Sequence, residues 1–181
     1  MRIERALFIT AFFLVAFFLP REGAAETGPI QAGGFTCTHV VTLPGTPEEV
    51  YDAATGDISA WWDHSFSGNP ARLYIEPKPG GGFFEIFDES GDGVRHATVL
   101  YAERGKALRF EGPLGLSGHA VLMVTTYTFE PAGEDSTRFL VDVRASGEVK
   151  EGWPEVVDRT WHHFLFERFA PYLEAGGLGS R

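Results

Sequence analysis

The chain has 181 residues and a formal net charge of −10, with 25 acidic residues against 15 lysines and arginines. An acidic balance of this size argues against binding to nucleic acid or to anionic membrane surfaces through general electrostatics. The single cysteine cannot form an intramolecular disulfide, so packing must supply the stability.

The N-terminus has the order of residues that is typical of a secretory signal peptide. Arg2 and Arg5 precede an apolar run from Ala6 to Leu19, and small residues follow it. This run of 14 residues is shorter than the roughly 20 that a membrane-spanning helix needs. We predict a signal peptide over residues 1–25, cleaved after Ala25, and a periplasmic or secreted protein with no stable membrane anchor. An uncleaved N-terminal anchor is the alternative.

The mature chain is predicted to open with a flexible lead-in, residues 26–34, and a strand over residues 35–43. Apolar and polar side chains alternate along this strand, which is typical of a sheet with one buried face. A short helix is predicted over residues 47–55, because Thr46 can cap it and Pro47 suits its first position. A second short helix is predicted around residues 58–62.

An antiparallel meander is predicted next, because alternating segments are separated by turns rich in glycine, proline and aspartate. Its six strands are predicted over residues 73–76, 83–87, 94–101, 107–111, 120–130 and 138–146. The glycine-rich stretch from Gly112 to Gly118 is predicted to be a flexible loop.

The apolar period changes from two to about 3.6 after Gly152, which predicts a long amphipathic helix over residues 154–174. Its apolar side carries Val157, Trp161, Phe164, Leu165, Arg168, Phe169 and Tyr172. Its polar side carries Glu155, Asp158, Arg159, His162, His163 and Glu167. A sheet with one buried face and one such helix pack together most simply when the sheet curves around the helix.

Three stretches resemble the START-like (SRPBCC) helix-grip family, and within it the polyketide cyclase-like branch named for activators of a heat-shock-protein ATPase. They are residues 43–51 with the later Trp61 and Trp62, the hairpin at residues 79–84, and Glu151-Gly152-Trp153 before the long helix. The resemblance implies an α+β fold over residues 35–175, with a tail at 176–181. It implies a curved sheet of about seven strands wrapped around the C-terminal helix, after two short helices.

The resemblance also implies a cavity between sheet and helix, which many members of the family use for a lipid, sterol or polyketide. We therefore expect a small apolar ligand and no cofactor. Two alternatives stay open: a cyclase or aromatase-like enzyme that uses cavity His, Tyr or Arg side chains, and a protein-docking domain related to the chaperone-ATPase activators. An export signal disfavours the chaperone partner itself, because that partner is cytosolic.

Signatures of other enzyme classes are missing from the sequence. It has no Gly-x-Ser-x-Gly pentapeptide of the kind that presents a hydrolase serine. The glycine run at 80–82 is followed by Phe83 rather than by the lysine of a phosphate loop. No catalytic residue is therefore predicted, and oligomeric state is left open.

Cysteine and histidine side chains can act together as a nucleophile pair or as metal ligands. Cys37 and His39 lie two residues apart on one strand face, so their side chains can approach each other, yet a buried thiol beside a hydrogen-bonded histidine is the preferred interpretation. His162 and His163 point about 100° apart on a helix, and we expect Asp158 and Glu167 to pair with them. No metal site is predicted from the spacing.

Aromatic residues are abundant and supply the candidate ligand site, with two polar side chains as possible anchors. The candidates are Trp61, Trp62, Phe66, Tyr74, Phe84, His96, Arg109, Tyr127, Trp161 and Phe164. A solid core filled by the same rings is the competing interpretation.

Overall fold

The computed structural model describes residues 29–30 and 32–179. The predicted signal peptide and its cleavage site lie outside these residues. The described chain contains eight strands in one antiparallel sheet, ordered β1-β8-β7-β6-β5-β4-β3-β2. The strands are β1 Ala32–Pro44, β2 Gly56–Asp57, β3 Arg72–Ile75, β4 Gly82–Ile86, β5 Gly93–Glu103, β6 Ala107–Gly112, β7 Val121–Pro131 and β8 Ser136–Glu148.

The predicted strands are present, each with bounds within three residues of those expected. β1 begins at Ala32, inside the predicted lead-in. Its first residues already pair with the end of β8, starting with Ala32 opposite Glu148. The strand count is eight rather than seven. The additional strand is β2, two residues long, which pairs with β3 at the sheet edge.

Helix α1, Pro47–Ala53, begins as the sequence predicts and ends two residues earlier than expected. Thr46 caps it: its side chain accepts from the Glu49 N–H, and the Glu49 carboxylate accepts from the Thr46 N–H. These two hydrogen bonds satisfy donors that the first turn would otherwise leave unpaired.

The predicted second short helix around residues 58–62 is wrong. The Trp61 and Trp62 N–H groups both donate to the Ile58 carbonyl, so a single turn forms. The chain then leaves it, because the Trp61 indole donates to the Ala53 carbonyl and the Trp62 indole to the His64 carbonyl. The two buried rings and their hydrogen bonds thus determine the conformation of this segment, in place of a further helical turn.

The C-terminal helix runs for 25 residues and lies against the concave face of the sheet. It consists of α2 Trp153–His162, a π-helical segment His163–Phe169, α3 Ala170–Tyr172 and a second π-helical segment Leu173–Gly177. The Ala170 N–H donates five residues back, to Leu165. Pro171 accounts for the wider turn before it, because its ring crowds the carbonyl four residues back, whereas the second segment contains the left-handed Gly176, with φ of +94°.

The core lies between the helix and the sheet. Trp161, Phe164, Leu165 and Phe169 are the buried helix residues predicted from the period, and Leu173 joins them. Among the described residues, no helix is both long enough and apolar enough to cross a membrane.

Candidate functional site

A cavity of about 340 Å³ lies between the sheet and the N-terminal part of the C-terminal helix. Its wall is mostly apolar, with three aromatic rings on the side nearest the helix. The lining residues are Trp62, His64, Ser65, Phe66, Phe83, His96, Leu114, Gly115, Leu116, Met123, Val156, Val157, Thr160, Trp161 and Phe164. The size is near the lower end of the range for small-molecule pockets, roughly 300–1,000 Å³.

Stacked and edge-on aromatic contacts build the wall. Trp62 stacks on Phe164 with ring centroids 3.9 Å apart, and it meets Phe83 edge-on at 5.0 Å and Trp161 at 5.8 Å. Such contacts hold large rings in fixed orientations. The cavity therefore has a rigid wall on the helix side.

The mouth of the cavity is apolar and exposed. Phe66 is 53% exposed and Val156 is 49% exposed, and both line the cavity. A 3₁₀ turn, Leu114–Leu116, also lines it. Leu114 has φ of +48°, the only positive value for a non-glycine among the described residues, and this conformation costs a leucine roughly 1–2 kcal/mol.

A buried polar pair lies in the cavity wall behind Phe66. His96 Nε2 is 3.2 Å from Glu85 Oε2. The Glu85 carboxylate also accepts hydrogen bonds from the N–H groups of Phe66 and Ser67 and from the Ser67 hydroxyl, at 2.8 to 2.9 Å. One fully buried carboxylate thus holds the loop that carries the exposed ring of Phe66.

The charge of Glu85 is stabilised by these contacts. Burial pushes the pKa of Glu85 up, but the hydrogen bonds from Phe66, Ser67 and His96 together outweigh it and leave the pKa below its ordinary value. The second nitrogen of His96, Nδ1, faces the Leu114 carbonyl at 3.4 Å. Both ring nitrogens therefore already have partners within the protein, which disfavours a role for His96 in proton abstraction from a ligand.

The structure brings five of the ten candidate site residues to the cavity: Trp62, Phe66, His96, Trp161 and Phe164. Trp61 and Tyr127 are buried in the core but do not line the cavity. Burial raises the pKa of the Tyr127 hydroxyl, which has no hydrogen-bond partner.

The remaining three candidates, Tyr74, Phe84 and Arg109, lie on the opposite face of the sheet. Tyr74 packs on Phe84 across β3 and β4, and Arg109 donates to the Thr126 hydroxyl at the surface. Their neighbours along the strands are the buried ones, as strand alternation requires.

Sequence reasoning missed the remaining lining residues and Glu85. A signal for Glu85 existed, since it is in phase with the buried Phe83 on β4 and an inward carboxylate needs partners. The 3₁₀ turn carried no such signal, because the glycine-rich stretch that contains it has no apolar period. The predicted flexible loop is thus partly ordered as a wall of the cavity.

The surroundings of Cys37 oppose a role for its thiol as a nucleophile. Burial, followed by the negative charges of Asp158 and Asp142, raises the pKa of the thiol to about 11. A thiolate is the reactive form, so these surroundings oppose nucleophilic use. Asp158 lies beside His39 rather than His162, which corrects the predicted pairing on the helix, whereas the predicted partner of His163, Glu167, is confirmed.

An ion-pair cluster lies next to the cavity at the surface. His163 Nε2 is 3.0 Å from both oxygens of Asp63, and His163 Nδ1 is 2.9 Å from Glu167. These hydrogen bonds, first that to Glu167 and then that to Asp63, raise the pKa of His163. Arg168 also contacts Asp63, at 3.2 Å, so the cluster ties the loop after Trp62 to the helix.

The comparisons with known proteins concern the fold alone. No protein-family model matches the chain, and no curated protein matches its sequence. Among solved structures, CV1439 from Chromobacterium violaceum is 21% identical, with a TM-score of 0.54 over 77% of this chain and 96% of its own. The chain has a helix-grip-like fold.

Other solved structures share this helix-grip-like arrangement of sheet and helix. SA2116 from Staphylococcus aureus, a protein of unknown function, is 14% identical, with a TM-score of 0.55 over 80% of this chain and 96% of its own. NE0264 from Nitrosomonas europaea is 15% identical, with a TM-score of 0.53 over 77% and 92%.

Proposed function

We propose that this chain is an exported START-like (SRPBCC) domain that binds one small apolar molecule in the cavity between its sheet and its C-terminal helix. The apolar cavity of about 340 Å³, open at one exposed rim, is the observation that carries the proposal. Its modest volume favours a compact ligand, such as an aromatic or short-chain molecule, over a lipid with two long chains.

Exposed apolar side chains at the mouth support the same function. Phe66 and Val156 line the cavity and are about half exposed, which leaves apolar surface in contact with water. A ligand that covers these side chains gains roughly 25 cal/mol per Å² of apolar surface removed from water. Leu116 extends this rim on the side of the 3₁₀ turn.

Binding is favoured over the cyclase or aromatase-like alternative. Of the polar side chains proposed for proton transfer, Arg109 faces away from the cavity and Tyr127 does not line it. His96 does line it, but both of its ring nitrogens face protein acceptors. No observation favours the protein-docking alternative over ligand binding.

A pair of glycines in one loop offers a sharp test of the cavity. Gly115 lines the cavity, and a Cβ added there meets nothing within 4 Å, so Gly115→Phe adds a ring to the cavity lining without a clash at Cβ. Gly118 has the same free space but does not line the cavity, so Gly118→Phe is the matched control.

The measurement is titration of the purified protein with a fluorescent fatty acid and with a naphthalene-sulfonate probe, together with native mass spectrometry for co-purified ligand. We expect saturable binding of one probe per chain, reduced at least about tenfold by Gly115→Phe and unchanged by Gly118→Phe. Absence of saturable binding to the unmodified protein, or equal effects of the two variants, would overturn ligand binding. Export is tested separately by fractionating a Gram-negative host, where we expect mature protein starting near Glu26 in the periplasm.

A further inference from the structure

Three potential metal ligands meet between β1 and the C-terminal helix, away from the cavity. Cys37 and His39 project from the face of β1 that packs on the helix, and Asp158 lies on α2 opposite them. One donor atom from each residue, a thiol sulfur, an imidazole nitrogen and a carboxylate oxygen, lies within 4.8 Å of the other two.

The imidazole of His39 is the unusual member of this group. Its side chain is 10% exposed, and Nε2 is buried without a hydrogen-bond partner. The Asp158 carboxylate is only 3.1 Å away, yet the two groups are not aligned for a hydrogen bond. A buried polar atom left unpaired is destabilising, by roughly 1–3 kcal/mol, and so calls for an explanation.

Close approach without a hydrogen bond is the geometry of two ligands that point at a common third atom. Ligand atoms about 2.0–2.3 Å from one metal ion lie about 3–4 Å from each other. The separation of His39 Nε2 and Asp158 Oδ1 falls in this range. A cation at that point would satisfy the orphaned nitrogen and both neighbouring groups.

The charges around the group favour a cation. The carboxylates of Asp158 and Asp142 both act on the Cys37 sulfur, and Asp142 also accepts from the Thr38 hydroxyl at 3.1 Å and pairs with Arg144 at 2.9 Å, so Asp158 supplies the main uncompensated charge. Negative potential at a thiol attracts a divalent ion, which in turn removes the thiol proton.

The other cluster of histidine and aspartate in the described chain lacks these features. In it, both ring nitrogens of His163 already have carboxylate partners, and the guanidinium of Arg168 already neutralises Asp63. That cluster is complete as an ion-pair network, whereas in the cluster at His39 the buried Nε2 has no hydrogen-bond partner.

We propose that Cys37, His39 and Asp158 bind one divalent transition-metal ion, with Zn²⁺ as the best match, at a site that joins β1 to the C-terminal helix. Thiolate, imidazole and carboxylate are the donors that Zn²⁺ takes in proteins, and a water molecule completes four-coordination. Binding releases the Cys37 thiol proton to solvent. The site is separate from the cavity, so ligand binding and metal binding can fail independently.

The test uses chelator-treated protein without a histidine tag. Calorimetric titration with Zn²⁺ measures stoichiometry, and Co²⁺ serves as a probe because a thiolate ligand gives it a charge-transfer absorption in the near ultraviolet. We expect one ion per chain with that absorption, and a rise in melting temperature on adding Zn²⁺. Cys37→Ser and His39→Ala are each expected to weaken binding at least about tenfold, and Cys37→Ser to abolish the absorption.

His163→Ala is the matched control, because it removes a histidine of the other cluster and should leave the stoichiometry and the Co²⁺ spectrum unchanged. The proposal is overturned if the unmodified protein binds no ion saturably, if Co²⁺ binds without thiolate absorption, or if His163→Ala removes the ion while Cys37→Ser keeps it. The spectrum of the unmodified protein decides the matter even if a variant does not fold.

Discussion

His96 Nε2 lies 3.2 Å from Glu85 Oε2, and both side chains are buried, although only His96 lines the cavity. The carboxylate also holds the backbone of Phe66 and Ser67, so this one pair connects β4, β5 and the loop at the mouth. Removing either partner would leave the other buried with a hydrogen bond missing. The loss of stability on removing one partner is then larger than the net stability that the intact pair contributes.

Glu85→Gln is expected to lower the free energy of unfolding by about 2 kcal/mol at pH 7, because an amide cannot accept all of these hydrogen bonds. The pKa of Glu85 is lower in the folded state than in the unfolded chain. Its contribution to the free energy of unfolding is therefore complete above the ordinary carboxyl pKa, and it is lost as the pH falls through the folded-state pKa. Urea melts at pH 7 and pH 3.5 should therefore show a smaller difference at the lower pH. Glu134→Gln, on an exposed turn, is the control, and an equal difference at both pH values would contradict the prediction.

Trp161→Ala is expected to lower the free energy of unfolding by about 3 kcal/mol, near the lower end for loss of a buried tryptophan. The ring packs on Tyr127 and Phe164, but one side of it already faces open space in the cavity. Probe affinity should fall at the same time. Tyr74→Ala, which removes a ring from the outer face of the sheet, is the control. Thermal melts measure the stability of both variants, and probe titration should show that Tyr74→Ala leaves the probe affinity unchanged.

Gly112→Ala is expected to destabilise the fold strongly, by about 3 kcal/mol at the upper end for overpacking. A Cβ at Gly112 would lie 2.3 Å from the His96 carbonyl oxygen and 2.6 Å from the Ala97 Cα, and backbone cannot move aside as a side chain can. Gly118→Ala meets nothing within 4 Å and should be near neutral. Equal melting temperatures for the two variants would show that β5 and β6 are not this close.

His163→Ala is expected to lower stability only slightly, by less than about 1 kcal/mol, because the ion-pair cluster lies at the surface. The pKa of His163 is raised by Glu167 and Asp63, so its contribution is full below the ordinary histidine pKa and is lost as the pH rises through the raised value. Melts of the variant and the unmodified protein should differ more at pH 5.5 than at pH 9. If the variant and the unmodified protein differ by the same amount at both pH values, the ion pairs of His163 do not contribute as described.

The strands and α1 could be predicted because their signals are local. Alternation along β1 and the capping pair at Thr46 and Glu49 depend on neighbours in sequence. The turn at residues 58–62 could not, because the burial of two adjacent tryptophans against the helix decides its shape. Side-chain direction explains why some candidate site residues lie outside the cavity: Arg109 faces outward, as alternation along its strand indicates. The approach of Asp158 to His39 could not be predicted, because it depends on how the helix lies across β1.

The left-handed conformation of Leu114 stores backbone strain in the rim of the cavity. Rotating this one residue to an ordinary backbone conformation would recover roughly 1–2 kcal/mol. The same rotation would break the long contact of the Leu114 carbonyl with His96 Nδ1, at 3.4 Å, a weak interaction to lose. The 3₁₀ turn beside the cavity therefore loses less by changing its backbone conformation than an unstrained turn would.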